Sequence, residues 1–208
     1  MKKIEQQIAQ IKKELKESPN DGDLLNELGI GYQMLGEYNQ AIEYYEEALK
    51  QQPKAAKIHF NLANTFYEKK DIEKAITHYM DALDIEPDYV PALNNLADIY
   101  ELANEDEKAR ELFEHITEIN PEDPMGYFNL GNHFLRNNDS LEAGRCYKKA
   151  IELDPEFHEA YNNIGYLLKH LEQYEEAISY FEKCLEIEPD YEPAKKDLET
   201  CKKALQNS

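Results

Sequence analysis

The side chains able to do chemistry are few and scattered. Cys146, Cys184 and Cys201 stand too far apart for a disulfide framework or a zinc-binding cysteine set. Six histidines are present, and no pairing with a cysteine or an aspartate stands out as a ligand spacing. HExxH, CxxC, GxSxG and glycine-rich phosphate loops are all missing, and eight glycines in 208 residues leave little material for such a loop. Neither a cofactor nor a metal site is expected, and the chain reads as a non-enzyme. The residue type that does recur is asparagine. Asn61, Asn95, Asn129 and Asn163 follow one another at intervals of 34, with Asn64 and Asn132 three residues after the first and third. A primary amide both donates and accepts hydrogen bonds, so a row of amides can pair with a peptide backbone whatever its side chains. Each such bond contributes only about 0.5–1.5 kcal/mol net, so several must act together.

The elements that carry this row are set by an internal repeat. Pro19, Pro53, Pro87, Pro121, Pro155 and Pro189 are spaced by 34 every time. Placing each of the last five at repeat position 32 gives blocks 22–55, 56–89, 90–123, 124–157 and 158–191. Their columns fill with one kind of residue. Position 7 is Leu28, Leu62, Leu96, Leu130 and Ile164; position 8 is always Gly or Ala; position 20 is alanine throughout. Position 11 holds Tyr32, Phe66, Tyr100, Phe134 and Leu168, and position 24 holds Tyr45, Tyr79, Phe113, Tyr147 and Phe181. Position 27 reads Ala48, Ala82, Ile116, Ala150 and Cys184. Positions 4, 7, 8 and 11 recur at helical spacing, as do 20, 24 and 27, so each block predicts two amphipathic helices. Small residues at 8 and 20 let backbones approach, and aromatics at 11 and 24 fill the layer between them. One such pair cannot bury its apolar faces alone, so the blocks must stack.

On these columns and this period the chain resembles the tetratricopeptide repeat (TPR) family. The resemblance covers residues 22–191 and implies an all-α, right-handed α-solenoid of antiparallel helix pairs. Only position 4 is uneven, with Leu25, His59, Leu93, Tyr127 and Tyr161; His59 there reads as a packed core histidine. Cys184 reads as a small buried hydrophobe, and Cys146 and Cys201 as structural, since no basic surrounding marks an activated thiolate. Residues 1–21 are expected to form an N-terminal capping helix, the second half of a truncated repeat, with Ile4, Ile8, Ile11 and Leu15 inward. Residues 192–208 are expected to form a C-terminal capping helix, with Ala194, Leu198, Cys201 and Leu205 inward and lysines outward.

The resemblance also implies where a ligand sits, because in this family the first helix of each pair lines a concave groove. There position 6 supplies Asn61, Asn95, Asn129 and Asn163, and position 9 supplies Asn64 and Asn132. Phe60 and Phe128 at position 5 and Tyr166 at position 9 offer apolar contacts. These nine residues are the expected peptide-binding set. Tyr67, Met125 and Leu135 also fall at groove positions. Family members that hold the carboxylate tails of heat-shock chaperones place lysine at position 5 and arginine at position 6. Here position 5 is never lysine and position 6 never arginine, so that mode is not expected.

Charge narrows the partners. Forty-three acidic residues against twenty-three basic ones give a net charge of −20, which argues against nucleic acid. Block 90–123 alone carries ten acids and two bases, most of them off the groove positions, a solvated face that favours basic partners. No apolar run approaches the roughly twenty residues of a membrane span, and the basic start MKKIEQQIAQIKKELKE lacks the apolar core of a secretory signal. The expected protein is cytoplasmic, acidic and monomeric, an adaptor or scaffold for an extended peptide or partner helix, whose ligand carries basic and apolar residues. The alternatives are a self-assembling structural scaffold, forming homo-oligomers, or a substrate-targeting subunit of a separate enzyme.

Overall fold

The computed structural model describes residues 2–206, which form twelve α-helices and no strand. They fall into two units that divide between Asn104 and Glu105. The first holds α1 (Lys2–Leu15), α2 (Gly22–Met34), α3 (Tyr38–Gln51), α4 (Ala56–Glu68), α5 (Ile72–Ile85) and α6 (Val90–Leu102). The second holds α7 (Asp106–Ile119), α8 (Pro124–Arg136), α9 (Ser140–Leu153), α10 (His158–His170), α11 (Tyr174–Ile187) and α12 (Glu192–Gln206). The division falls inside the block 90–123. A chain whose repeats touch only their neighbours has no natural seam, so no composition change marks it.

Each helix starts and stops for a local reason. The Asp21 carboxylate accepts the Asp23 and Leu24 amides at 3.0 and 3.1 Å, satisfying donors with no preceding turn. Asp123 does the same for Met125 at 3.0 Å, with Pro124 in the first turn, where its missing N–H costs nothing. The first helix of every block ends on a left-handed residue: Gly36, Lys70, Asn104, Asn138 and Glu172, with φ between 58° and 76°. At Gly36 the Glu37 amide donates to the Tyr32 carbonyl and the Gly36 amide to the Gln33 carbonyl, both at 2.9 Å. The same pair of bonds recurs after α4, α8 and α10, so four helices close on a Schellman turn. Gly36, Asn104 and Asn138 are residue types that accept this geometry readily; Lys70 and Glu172 adopt it because the turn's carbonyls demand a partner.

The repeat columns form the core. Every position-20 alanine is fully buried, as are Tyr45, Tyr147 and Phe181. Small residues at position 8 are required by the rings at position 24. A Cβ on Gly131 would lie 2.7 Å from the Tyr147 ring, and one on Gly165 2.7 Å from that of Phe181. In the second unit, Ala143, Tyr147, Ala150, Phe157, Ala160, Ile164 and Leu167 make one cluster. Ala177, Phe181, Cys184, Ala194 and Cys201 make another, which α12 closes.

The end helices bury one face each. In α1 only Ile8 is buried, held in the notch left by Gly31, where a Cβ would meet it at 2.8 Å. Ala194 and Cys201 of α12 are fully buried. Ion pairs tie it to its neighbours, Lys202 to Glu182 of α11 at 2.8 Å and Asp197 to Lys169 of α10 at 2.7 Å. Residue 1 of the expected N-terminal cap and residues 207–208 of the C-terminal one lie outside the described residues.

Candidate functional site

The six asparagines lie on the first helices of their pairs, and the structure bonds four of them to one another, Asn64 with Asn95 and Asn132 with Asn163. In the first unit the Asn95 amide donates to Asn64 Oδ1 at 2.9 Å and to the Tyr79 hydroxyl at 3.1 Å. The Tyr79 hydroxyl in turn donates to Asn64 Oδ1. The second unit repeats the arrangement two repeats on: Asn163 donates to Asn132 Oδ1 at 3.1 Å and Tyr147 to the same oxygen at 2.8 Å. A position-24 tyrosine, the position-9 asparagine of its own block and the position-6 asparagine of the next thus form one junction.

The physical cause is a hydroxyl at the end of a buried ring. Tyr79 and Tyr147 are almost wholly buried, and burial raises the Tyr79 phenol to about 12 and the Tyr147 phenol further. Each therefore stays neutral and needs an acceptor, which the amide supplies. Where the ring is Phe113 or Phe181, position 9 is Asp98 or Tyr166 instead. In the first block position 9 is Ile30, and Tyr45 donates to Gln33 at 2.9 Å. With that site apolar, Asn61 donates to Asn26 at 3.0 Å.

These bonds use part of each amide and leave the rest. Asn64 Oδ1 accepts twice, filling its lone pairs, while its two Nδ2 donors lie outside the junction. Asn95 spends both N–H groups and keeps its carbonyl oxygen outside. Around them opens a cavity of about 370 Å³, lined by Gln33, Asn64, Tyr67, Glu68, Tyr79, Asn95, Asp98 and Ile99. Its floor is amide and phenol, and its rim carries the exposed carboxylates Glu68 and Asp98. It suits a polar backbone with basic side chains.

Of the expected aromatics, two are braced and one is open. Phe60 stands edge-on to Tyr89, ring centroids 5.4 Å apart, and leans on Tyr79 at 6.0 Å. Phe128 leans on Phe157 at 4.9 Å and Tyr147 at 5.7 Å. Both are half-buried and act as wedges between helices. Tyr166 is 37% exposed, its ring edge against His170 at 4.4 Å and the Lys169 ammonium 4.9 Å above it. Asn129 is half-buried on α8, one turn before Asn132.

The cysteines lack nucleophilic character. All three are buried and unbridged, and burial lifts the Cys146 and Cys184 thiols to about 11. The histidines correct the sequence reading. His59, His78 and Asp81 come together within ligand-atom distances of one another, although no histidine spacing stood out. His78 and Asp81 are three apart on α5, a separation lost in any acidic helix, and His59 reaches them from α4.

Family profiles described as tetratricopeptide repeat match residues 26–91, 66–127, 124–157 and 158–191. The chain belongs to the tetratricopeptide repeat family. Among curated protein sequences no match is found. Solved structures give the same fold. MamA superposes with a TM-score of 0.69 at 23% identity, covering 78% of this chain and 95% of its own. YrrB, a TPR protein with an unusual peptide-binding site, gives 0.68 at 21% identity, covering 88% and 95%. PilF of Pseudomonas aeruginosa gives 0.67 at 21% identity, covering 90% and 93%. At these identities the likeness is one of fold. Among the described residues no helix is long and apolar enough to cross a membrane.

Proposed function

We propose that this protein is a non-catalytic adaptor that holds an extended peptide, or a partner's helix, on the face formed by the first helices of its repeats. The cavity between Asn64, Tyr67, Glu68, Asn95 and Asp98 carries this reading. Its amides are fixed in place by Tyr79 before any ligand arrives, which lowers the entropy cost of binding. In the second unit Asn129, Asn132, Asn163, Phe128 and Tyr166 are the corresponding contacts. The acidic rim selects basic side chains, and the aromatic edges accept apolar ones. That YrrB has a peptide-binding site on the same fold supports the assignment by analogy. The protein acts in the cytoplasm and as a monomer.

The test leaves the amide junction intact. Glu68→Lys with Asp98→Lys reverses the charge of the rim only. Partners captured by the wild-type protein and lost from this variant, at equal helicity, support the groove. Partners retained by both contradict it.

One observation favours self-assembly as the second reading. Between α1 and α2 lies a cleft of about 660 Å³ lined in part by Ile4, Ile11, Ile30 and Met34, with Met34 66% exposed. Light scattering over a concentration series separates the two readings, since the adaptor stays monomeric.

A further inference from the structure

Position 4 is otherwise Leu25, Leu93, Tyr127 and Tyr161, and position 23 is Tyr44, Leu112, Cys146 and Tyr180. Only in the second repeat do both columns carry histidine, His59 on α4 and His78 on α5. Two imidazoles facing each other in an apolar layer lose solvation that leucine or the tyrosine ring would not. Their geometry offers a return. His59 Nδ1 and His78 Nδ1 lie 3.3 Å apart, and Asp81 Oδ2 lies 3.4 Å from the first and 3.2 Å from the second. The three donor atoms form a nearly equilateral triangle.

Zinc bonds imidazole nitrogen and carboxylate oxygen at about 2.0–2.2 Å. At a tetrahedral angle, ligands at that distance are about 3.3–3.6 Å apart. The observed edges, 3.2 to 3.4 Å, lie at the short end of this spacing. The ligand side chains are 14, 23 and 42% exposed for His59, His78 and Asp81, so the site is walled by the imidazoles and open at the carboxylate. The His78 ring is set by stacking on Phe66, at 5.5 Å and an interplanar angle of 6°.

We infer that His59, His78 and Asp81 form a binding site for a divalent transition-metal ion of the zinc class, with one coordination position open to solvent. Each histidine gives its Nδ1 lone pair and keeps its ring proton on Nε2; Asp81 gives one carboxylate oxygen. Imidazole with carboxylate suits zinc, copper, nickel and iron, and does not suit magnesium or calcium. Positions 4, 23 and 26 are not groove positions, so the ion clamps α4 to α5 and leaves the peptide face open. The inference is independent of the proposed adaptor role.

The test uses the full chain, stripped with chelator and titrated calorimetrically with Zn²⁺ alone in excess Mg²⁺, which occupies exposed carboxylates. His59→Leu and His78→Tyr take residues already found in the same columns, and Asp81→Asn removes the rim ligand while leaving both imidazoles. The expected result is one Zn²⁺ per wild-type chain, a rise in melting temperature, and affinity at least about tenfold weaker in each variant. Co²⁺ in place of Zn²⁺ should give the strong visible bands of a four-coordinate ion, absent from Asp81→Asn. No Zn²⁺ binding, or equal binding in wild type and all three variants, overturns the site and leaves a histidine pair sharing one proton.

Discussion

The Asn95 side chain donates to Asn64 Oδ1 at 2.9 Å across the junction of two successive repeats. Both residues belong to the row expected to grip a ligand, and both are already engaged with Tyr79. The row is therefore a structural joint first, and its outward atoms are what remain for a partner.

The joint predicts a coupling. Asn64→Ala leaves the Tyr79 hydroxyl and an Asn95 N–H without their acceptor, costing about 1–3 kcal/mol. Adding Tyr79→Phe removes one of those orphans, so the double variant should be less destabilised than the two single losses summed. Urea unfolding of the four proteins in the cycle measures it. Strict additivity would show that the junction carries no shared energy.

Glu172 closes α10 with φ of 59° and Lys70 closes α4 with φ of 66°, a conformation that strains any side chain. Gly36 occupies the same position without that cost. Glu172→Gly should therefore stabilise the second unit by about 0.5–1 kcal/mol, despite the extra freedom glycine gives the unfolded chain. Hydrogen exchange of the α10 and α11 amides reads the gain locally.

Alkaline pH should weaken the fold. The buried Cys184 thiol rises from an ordinary 9.0 to about 11, through burial first and then the charges of Glu159 and Glu188. A raised folded value means that the contribution is complete below pH 9 and is lost as pH climbs toward about 11. Tyr79, raised from 10.0 to about 12, extends the loss upward. Melting temperatures across this range should fall, and less steeply for Cys184→Ala, which restores the alanine found at Ala48, Ala82 and Ala150.

How far these features could be read in advance depends on what enforces them. The helix pairs were legible because Pro53 to Pro189, the position-20 alanines and the position-24 rings all obey one period, and packing tolerates no departure from it. Lys70 and Glu172 gave no signal, since the left-handed turn there is imposed by backbone carbonyls. The asparagine row was legible but its partners were not: the hydroxyl that holds Asn64 comes from Tyr79, fifteen residues on, through a helix pairing. A trace existed, because Tyr79 and Tyr147 accompany Asn64 and Asn132 while Phe113 and Phe181 do not accompany asparagine. His59 and His78 were each unremarkable until α4 and α5 brought their Nδ1 atoms to 3.3 Å.

The most direct test of the adaptor role is site-specific photo-crosslinking in cells, with a benzophenone side chain at Tyr67 in the cavity or at Met80, which is 49% exposed on α5. One partner polypeptide should crosslink from Tyr67 and little from Met80, with the signal at Tyr67 abolished by Glu68→Lys with Asp98→Lys. Crosslinks from Met80 alone, or from Tyr67 only to a second copy of this chain, would contradict it.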